Sequence, residues 1–202
     1  MSLATYNDLQ MSVAAWMNRT DLTALIPDFV AIAEARLQTD LRLRDGITVT
    51  TLATTANVQG VTLPTDWLEF ESLTINGKPL EYMPADRLKA QAGTGSLSNT
   101  NVARYAIEGG LLLLNPTPAT VMTINVKYHT RLPALATAGT NYLLTKYPNI
   151  YLYGALVSGY QFTMNDQRAN YWGELYAQAC GVAMDADRRA LVSGSPLAIR
   201  TR

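Results

Sequence analysis

The 202-residue chain is poor in the side chains that most often do chemistry: it holds one cysteine, Cys180, and one histidine, His129. An internal disulfide framework is thereby excluded, and so is a zinc site of the Cys/His type, which takes about four such ligands. A lone thiol suits a reducing compartment. Charge of one sign is also missing, since sixteen basic residues balance sixteen acidic ones. A protein that holds nucleic acid by neutralising phosphates is usually basic, so the balance points toward protein partners. No stretch is long and apolar enough to cross a bilayer, and the opening MSLATYNDLQ has neither the basic start nor the apolar run of a signal peptide. The expected place is the cytoplasm, or an assembly built there.

What the chain does have is apolar material. Hydrophobic residues make up 48% and charged ones 16%, enough for one or two units with a real core. Tyr6, Leu9, Val13, Trp16 and Met17 recur at helical spacing behind a Thr5 cap, with Asp8 in the first turn. A second helix is expected from about Leu22 to Gly46, turning at Pro27, with Ile26, Phe29, Ala33, Leu37 and Leu41 on one face. From Ile47 the composition becomes β-branched. ITVTTLATT reads as a strand, a short strand follows at 61–63, and Trp67 to Ile75 leads into an Asn76-Gly77 turn and a return strand through residues 80–83. Gly109-Gly110 marks a second hairpin, and VMTINVKY at 121–128 a further strand. Helical spacing returns at Pro148 with Ile150, Tyr153, Val157, Tyr160 and Met164. A last helix, capped at Asp166, carries Trp172, Leu175, Tyr176, Ala179 and Ala183.

The expected architecture is α+β. N-terminal helices (1–46) and C-terminal helices (133–192) form a bundle, interrupted by a mostly antiparallel β domain (47–132) with an exposed loop at 93–101 and followed by a tail at 193–202.

Motifs for catalysis and cofactors fail on their spacing. AGTGSLS has Gly93 and Gly95 but Ser98 where a dinucleotide fingerprint needs glycine, and Gly77-Lys78 runs into Pro79. His129 has no nucleophile elbow to serve, and Cys180 sits among alanines. Glu69 and Glu71, two apart on a strand, share a face and are the candidate carboxylate pair; Asp185 and Asp187 are a second. A solvated strand face and ordinary surface acids explain both pairs without a metal-ligand cluster. Tyr147, Tyr151, Tyr153 and Tyr160 lack the interleaved cations of a nucleic-acid stacking platform and read as core or interface. No cofactor or metal is called for.

Four stretches carry a resemblance: LIPDFVAIAEARLQTDLRLRD at 25–45, LPTDWLEFESLTING at 63–77, YAIEGGLLLLNPTP at 105–118 and YPNIYLYGAL at 147–156. In this order they resemble the head-to-tail adaptor proteins of tailed bacteriophages, similar to the tail tubular protein A and podovirus adaptor group. The resemblance implies a helical bundle with an inserted β domain and no catalysis. It also implies a virion protein of the neck, assembled in the host cytoplasm. Its implied partners are the portal protein, the tail nozzle or tube and its own copies in a dodecameric ring, with DNA passing through the centre without sequence-specific contacts. Leu197, Ile199, Arg200 and Arg202 in the tail are the expected portal-docking residues. Glu69, Glu71, Gly93, Gly95 and Asn99 are the expected contacts to neighbouring subunits or the tail. The rival expectations are a virion-associated glycan hydrolase using Glu69 and Glu71, and a glycan-binding β module.

Overall fold

The computed structural model describes residues 3–91 and 103–192. Along the chain come α1 (Tyr6–Met17), α2 (Ile26–Asp40), β1 (Ile47–Ala53), β2 (Gly60–Thr62), β3 (Trp67–Ile75), β4 (Lys78–Pro79) and β5 (Glu81–Tyr82). These are followed by α3 (Ala85–Ala90), β6 (Arg104–Glu108), β7 (Leu111–Asn115), β8 (Thr123–Thr130), α4 (Leu135–Ala138), α5 (Tyr142–Lys146), α6 (Pro148–Phe162) and α7 (Asp166–Val192). The α+β class and the helical bundle with its inserted, mostly antiparallel strands are what the structure has. The chain divides into two compact units: Met1–Gly46 with Leu132–Arg202, and Ile47–Arg131.

The helical unit is organised around α6. Its residues Ile150, Tyr151 and Leu152 and the run Gly154 to Tyr160 are all buried, leaving no polar face. Helices α1, α2, α5 and α7 pack around it. The apolar spacing at Ile150, Tyr153, Val157 and Tyr160 predicts one inward stripe, but a helix enclosed on several sides buries its whole circumference. Met164 lies beyond the helix end and is exposed.

Small residues on α6 make the close approach possible. A Cβ on Gly154 would lie 3.2 Å from the Ala33 Cβ of α2 and 3.4 Å from the Tyr176 ring of α7. One on Gly159 would fall 2.8 Å from the Met17 Sδ of α1.

The ends of the helices follow their local chemistry, with three departures from expectation. Thr5 and Asp8 form a capping box at α1, satisfying two free N–H groups of the first turn. Helix α2 begins at Ile26 after a 3₁₀ turn and stops at Asp40, six residues before Gly46. There Leu41 turns extended, Leu41 and Leu43 drop into the core, and the Arg42 guanidinium donates to the carbonyls of Gln38 and Leu41. At α7 the capping side chain is Asn165 rather than Asp166: its Oδ1 accepts the Arg168 N–H at 3.2 Å. The short helices α4 and α5 carry too few residues for a periodic signal.

The β unit is two four-stranded sheets, in the orders β1-β8-β3-β4 and β2-β7-β6-β5. Val61, Leu112 and Leu114 from one sheet and Leu73, Ile75, Ile124, Val126 and Tyr128 from the other share one core. Asn76 and Gly77 both have positive φ, as a tight hairpin requires. The return strand expected after this turn does not continue. Only Lys78–Pro79 pairs back onto β3, and the chain then crosses to the other sheet, where Glu81–Tyr82 pairs parallel with β6. One more bond follows, the Leu80 N–H donating to the Leu73 carbonyl at 3.0 Å, so the Pro79 nitrogen lies on the outer side of β4, where its missing N–H bars a further strand.

Replacing Gly154 by valine should force α2 or α7 outward and destabilise the protein by about 1–3 kcal/mol, as overpacked cores do. Thermal melting followed by circular dichroism should show the drop. Gly173→Ala on α7 is the control: its added Cβ meets no described atom within 4 Å, so it should melt slightly higher than the parent. Equal melting of Gly154→Val and parent would contradict the close-packing account.

Candidate protein interface

Glu69, Glu71 and Asp185 stand at exposed positions, and Asp187 is half-buried. On β3 the pairing with β8 has register shifts between Trp67 and Glu69 and between Phe70 and Ser72. Each shift inserts a residue, so the strict alternation of faces is lost: Glu69 and Glu71 are exposed, Ser72 is exposed as well, and burial resumes at Leu73 and Ile75. Glu69 lies opposite His129, and the Glu71 carboxylate meets the Lys127 ammonium at 2.8 Å. An exposed pair of this kind stabilises by about 0–1 kcal/mol. On α7 the Asp187 carboxylate accepts the Arg44 Nε–H at 3.1 Å, tying the segment after α2 to that helix. Asp185 stands 4.0 Å from Arg188 on the surface. Among the described residues no group of three metal-ligating side chains comes together.

The buried polar groups serve packing. Tyr176 donates its hydroxyl to the Asp40 carboxylate at 2.9 Å, and burial pushes its pKa upward. Cys180 is buried beside it, and burial raises the thiol pKa as well, the opposite of what a nucleophile needs. Asn141 caps α5 by accepting the Leu144 N–H at 2.9 Å. Its amide donates to the Pro133 carbonyl at 3.0 Å and to the Tyr151 hydroxyl at 2.7 Å. Tyr151 is fully enclosed, and Arg168 donates to the Tyr160 hydroxyl, so these two rings form no open stacking surface.

Glu34 of α2 is half-buried and accepts the Leu135 N–H at 2.8 Å, holding the start of α4. Desolvation by burial raises its pKa, and that hydrogen bond only partly opposes the rise.

The surface feature that sequence reasoning missed is aromatic. Trp172 of α7 is met by Trp16 of α1 at 5.3 Å between ring centroids, by Tyr153 of α6 at 5.6 Å and by Tyr171 at 5.2 Å. Helical spacing assigns Trp16 to the core, but it is 50% exposed, and Tyr171 is 57% exposed. Met11, also exposed, lies on the same helix as Trp16. Large rigid rings open to solvent on one side are the usual anchors of protein interfaces. A signal was available in the three tryptophans and eleven tyrosines, yet their meeting depends on helices far apart in the chain. In the β unit Trp67, Phe70, Tyr105 and Tyr82 form a second series of ring contacts, ending at the exposed Tyr82.

Of the residues expected to make contacts, Glu69 and Glu71 therefore stand at exposed positions of β3. Gly93, Gly95 and Asn99 lie outside the described residues, and so do Leu197, Ile199, Arg200 and Arg202.

A family model described as SU10 adaptor protein matches residues 4–200. No curated protein matches the chain.

The Glu34 carboxyl offers a pH test. Because its pKa is raised on folding, the stabilising contribution is complete below the ordinary glutamate pKa and is lost as pH rises through the folded value. Glu34→Gln keeps an acceptor for the Leu135 N–H and removes the buried charge. The variant should melt above the parent at neutral pH, and the gap should close below the ordinary glutamate range, about pH 4. A gap independent of pH would mean that charge desolvation is not the cause.

Proposed function

The chain belongs to the SU10 adaptor protein family, and on that footing we propose that it is the head-to-tail adaptor that docks on the portal ring and receives the tail. It is a bacteriophage adaptor, a structural protein of the virion. The observation that carries the reading is the breadth of the match, which runs through the helices of the bundle, the inserted strands and most of the tail.

In this reading the copies form a ring, a dodecamer, around the DNA exit channel, between the portal above and the tail nozzle or tube below. DNA slides through without sequence-specific contacts. A zero net charge suits that task, since a channel lined with cations would grip phosphates. The protein has no catalytic part in it. The pairing of Glu71 with Lys127 and of Asp187 with Arg44 supports that view over a carboxylate-based hydrolase. The exposed rings of Trp16 and Tyr171 are suited to contacts within the assembly.

The tail is the docking segment. Leu197 and Ile199 supply apolar anchors, and Arg200 and Arg202 supply two charges for an acidic portal surface.

Two experiments test the reading. Purified protein mixed with its candidate portal ring and viewed by electron microscopy should add a layer of ring density; an intact portal left bare would overturn the proposal. Deleting residues 195–202 should weaken that binding at least tenfold, since losing two apolar anchors and two cations removes more than about 1.4 kcal/mol. Unchanged affinity would remove the tail from the docking role.

A further inference from the structure

Among the described residues, strand β1 is a sheet edge with none of the usual safeguards. It ends the order β1-β8-β3-β4, and among the described residues it pairs with β8 alone. That pairing runs without a shift from Ile47 opposite His129 to Ala53 opposite Thr123, so no bulge turns the edge aside. No charged residue and no proline falls between Asp45 and Pro64. Val49 is 73% exposed. Natural proteins blunt long edge strands with lysines, prolines, bulges or covering elements, because unpaired N–H and C=O groups are a template for another strand. The other edges are too short to act in this way: β2 has three residues, while β4, with Pro79, and β5 have two each.

We infer that β1 pairs antiparallel with β1 of a second copy, centred on Thr50, to give a two-fold dimer with one continuous sheet. The strand is self-complementary in that register. Its inward row, Thr48, Thr50 and Leu52, lies across from Tyr128, Val126 and Ile124, which are buried. Thr50 then meets its own symmetry mate, and Thr48 meets Leu52, so the rows that lie across from the buried side chains of β8 run on into each other. On the outer row Val49 meets Thr51 and Ile47 meets Ala53. Every meeting is between uncharged and mostly β-branched side chains, which favour cross-strand contact. A like-charge pair, the common obstacle to self-pairing of an edge, never arises.

This contact goes beyond the adaptor reading and does not depend on it. A two-fold strand pair is isologous, whereas a ring is closed by head-to-tail contacts. The dimer is therefore a form of the protein outside the ring. Pairing seven residues a side falls short of the about 800 Å² per partner of a standard interface, so the association is concentration-dependent.

Sedimentation and light scattering of the full chain at about 100 μM should report the mass of two chains. Two variants separate this edge from any other contact: Val49→Lys with Thr51→Lys, and Val49→Glu with Thr51→Glu. Both positions face outward, and in the dimer each would meet a like charge. Each variant should melt as a folded protein and run as a monomer, and an equimolar mixture of the two should recover the dimer. Thr50→Cys, with the buried Cys180 as internal control, gives an independent reading, since the introduced thiols face each other and should link the two copies under mild oxidation. A monomeric parent at that concentration overturns the inference. Dimers that persist in both charged variants do the same and locate the contact elsewhere, as does a mixture that stays monomeric.

Discussion

The close approach of three helices to α6 is the constraint on which the helical unit depends. Glycine at 154 and 159, alanine at 155 and serine at 158 thin one helix so that α1, α2 and α7 can reach it. The result is a helix with no exposed face at its middle, packed by elements from both ends of the chain. Neither the N-terminal nor the C-terminal helices can bury their apolar surface without the other set. Polar groups that this packing encloses are matched one for one: Tyr151 with Asn141, Tyr176 with Asp40, and the Leu135 N–H with Glu34. Leaving any one of them unmatched would cost about 1–3 kcal/mol, so they act as a register for the bundle and are unsuited to reaction chemistry.

The surfaces that remain for partners are of two physical kinds. On the helical unit they are aromatic side chains whose inner faces are already packed, so little conformational freedom is left to lose on binding. In the β unit they are backbone groups on a strand edge together with the Glu71–Lys127 ion pair between β3 and β8. An assembly protein has use for both, because side-chain anchors select a partner while strand edges accept any extended chain of suitable bulk.

Much of this was legible in the sequence where a single residue dictates local geometry. The Asn76-Gly77 and Gly109-Gly110 turns, the Thr5 cap and the Pro148 start all sit where their chemistry demands. Periodicity succeeded in finding helices and failed in orienting them. Trp16 keeps helical spacing with Leu9 and Val13 yet ends half outside, and α6 shows a stripe although it is buried all round. The crossing from one sheet to the other at Leu80 and the shifts beside Glu69 and Glu71 depend on strands distant in sequence, and nothing local announces them. Of the candidate contact residues, the acids were placed on a strand correctly, while the meeting of Trp16, Tyr153, Tyr171 and Trp172 needed the three-dimensional arrangement of α1, α6 and α7.

The pairing of Ile47 with His129 has a consequence for how the chain reaches its fold. The strand that opens the β unit lies beside the strand that closes it, so once this unit has formed, the two points where the chain leaves and re-enters the helical unit are held a strand's width apart. Joining α1 and α2 to the C-terminal helices across an unstructured insert of this length would carry a closure entropy of roughly 4 kcal/mol by the logarithmic rule. A formed β unit shortens the effective loop to a few residues. The inserted strands therefore act as a clasp for a bundle built from two separated lengths of chain. Unfolding them alone would weaken the bundle without breaking a contact among the bundle's own helices.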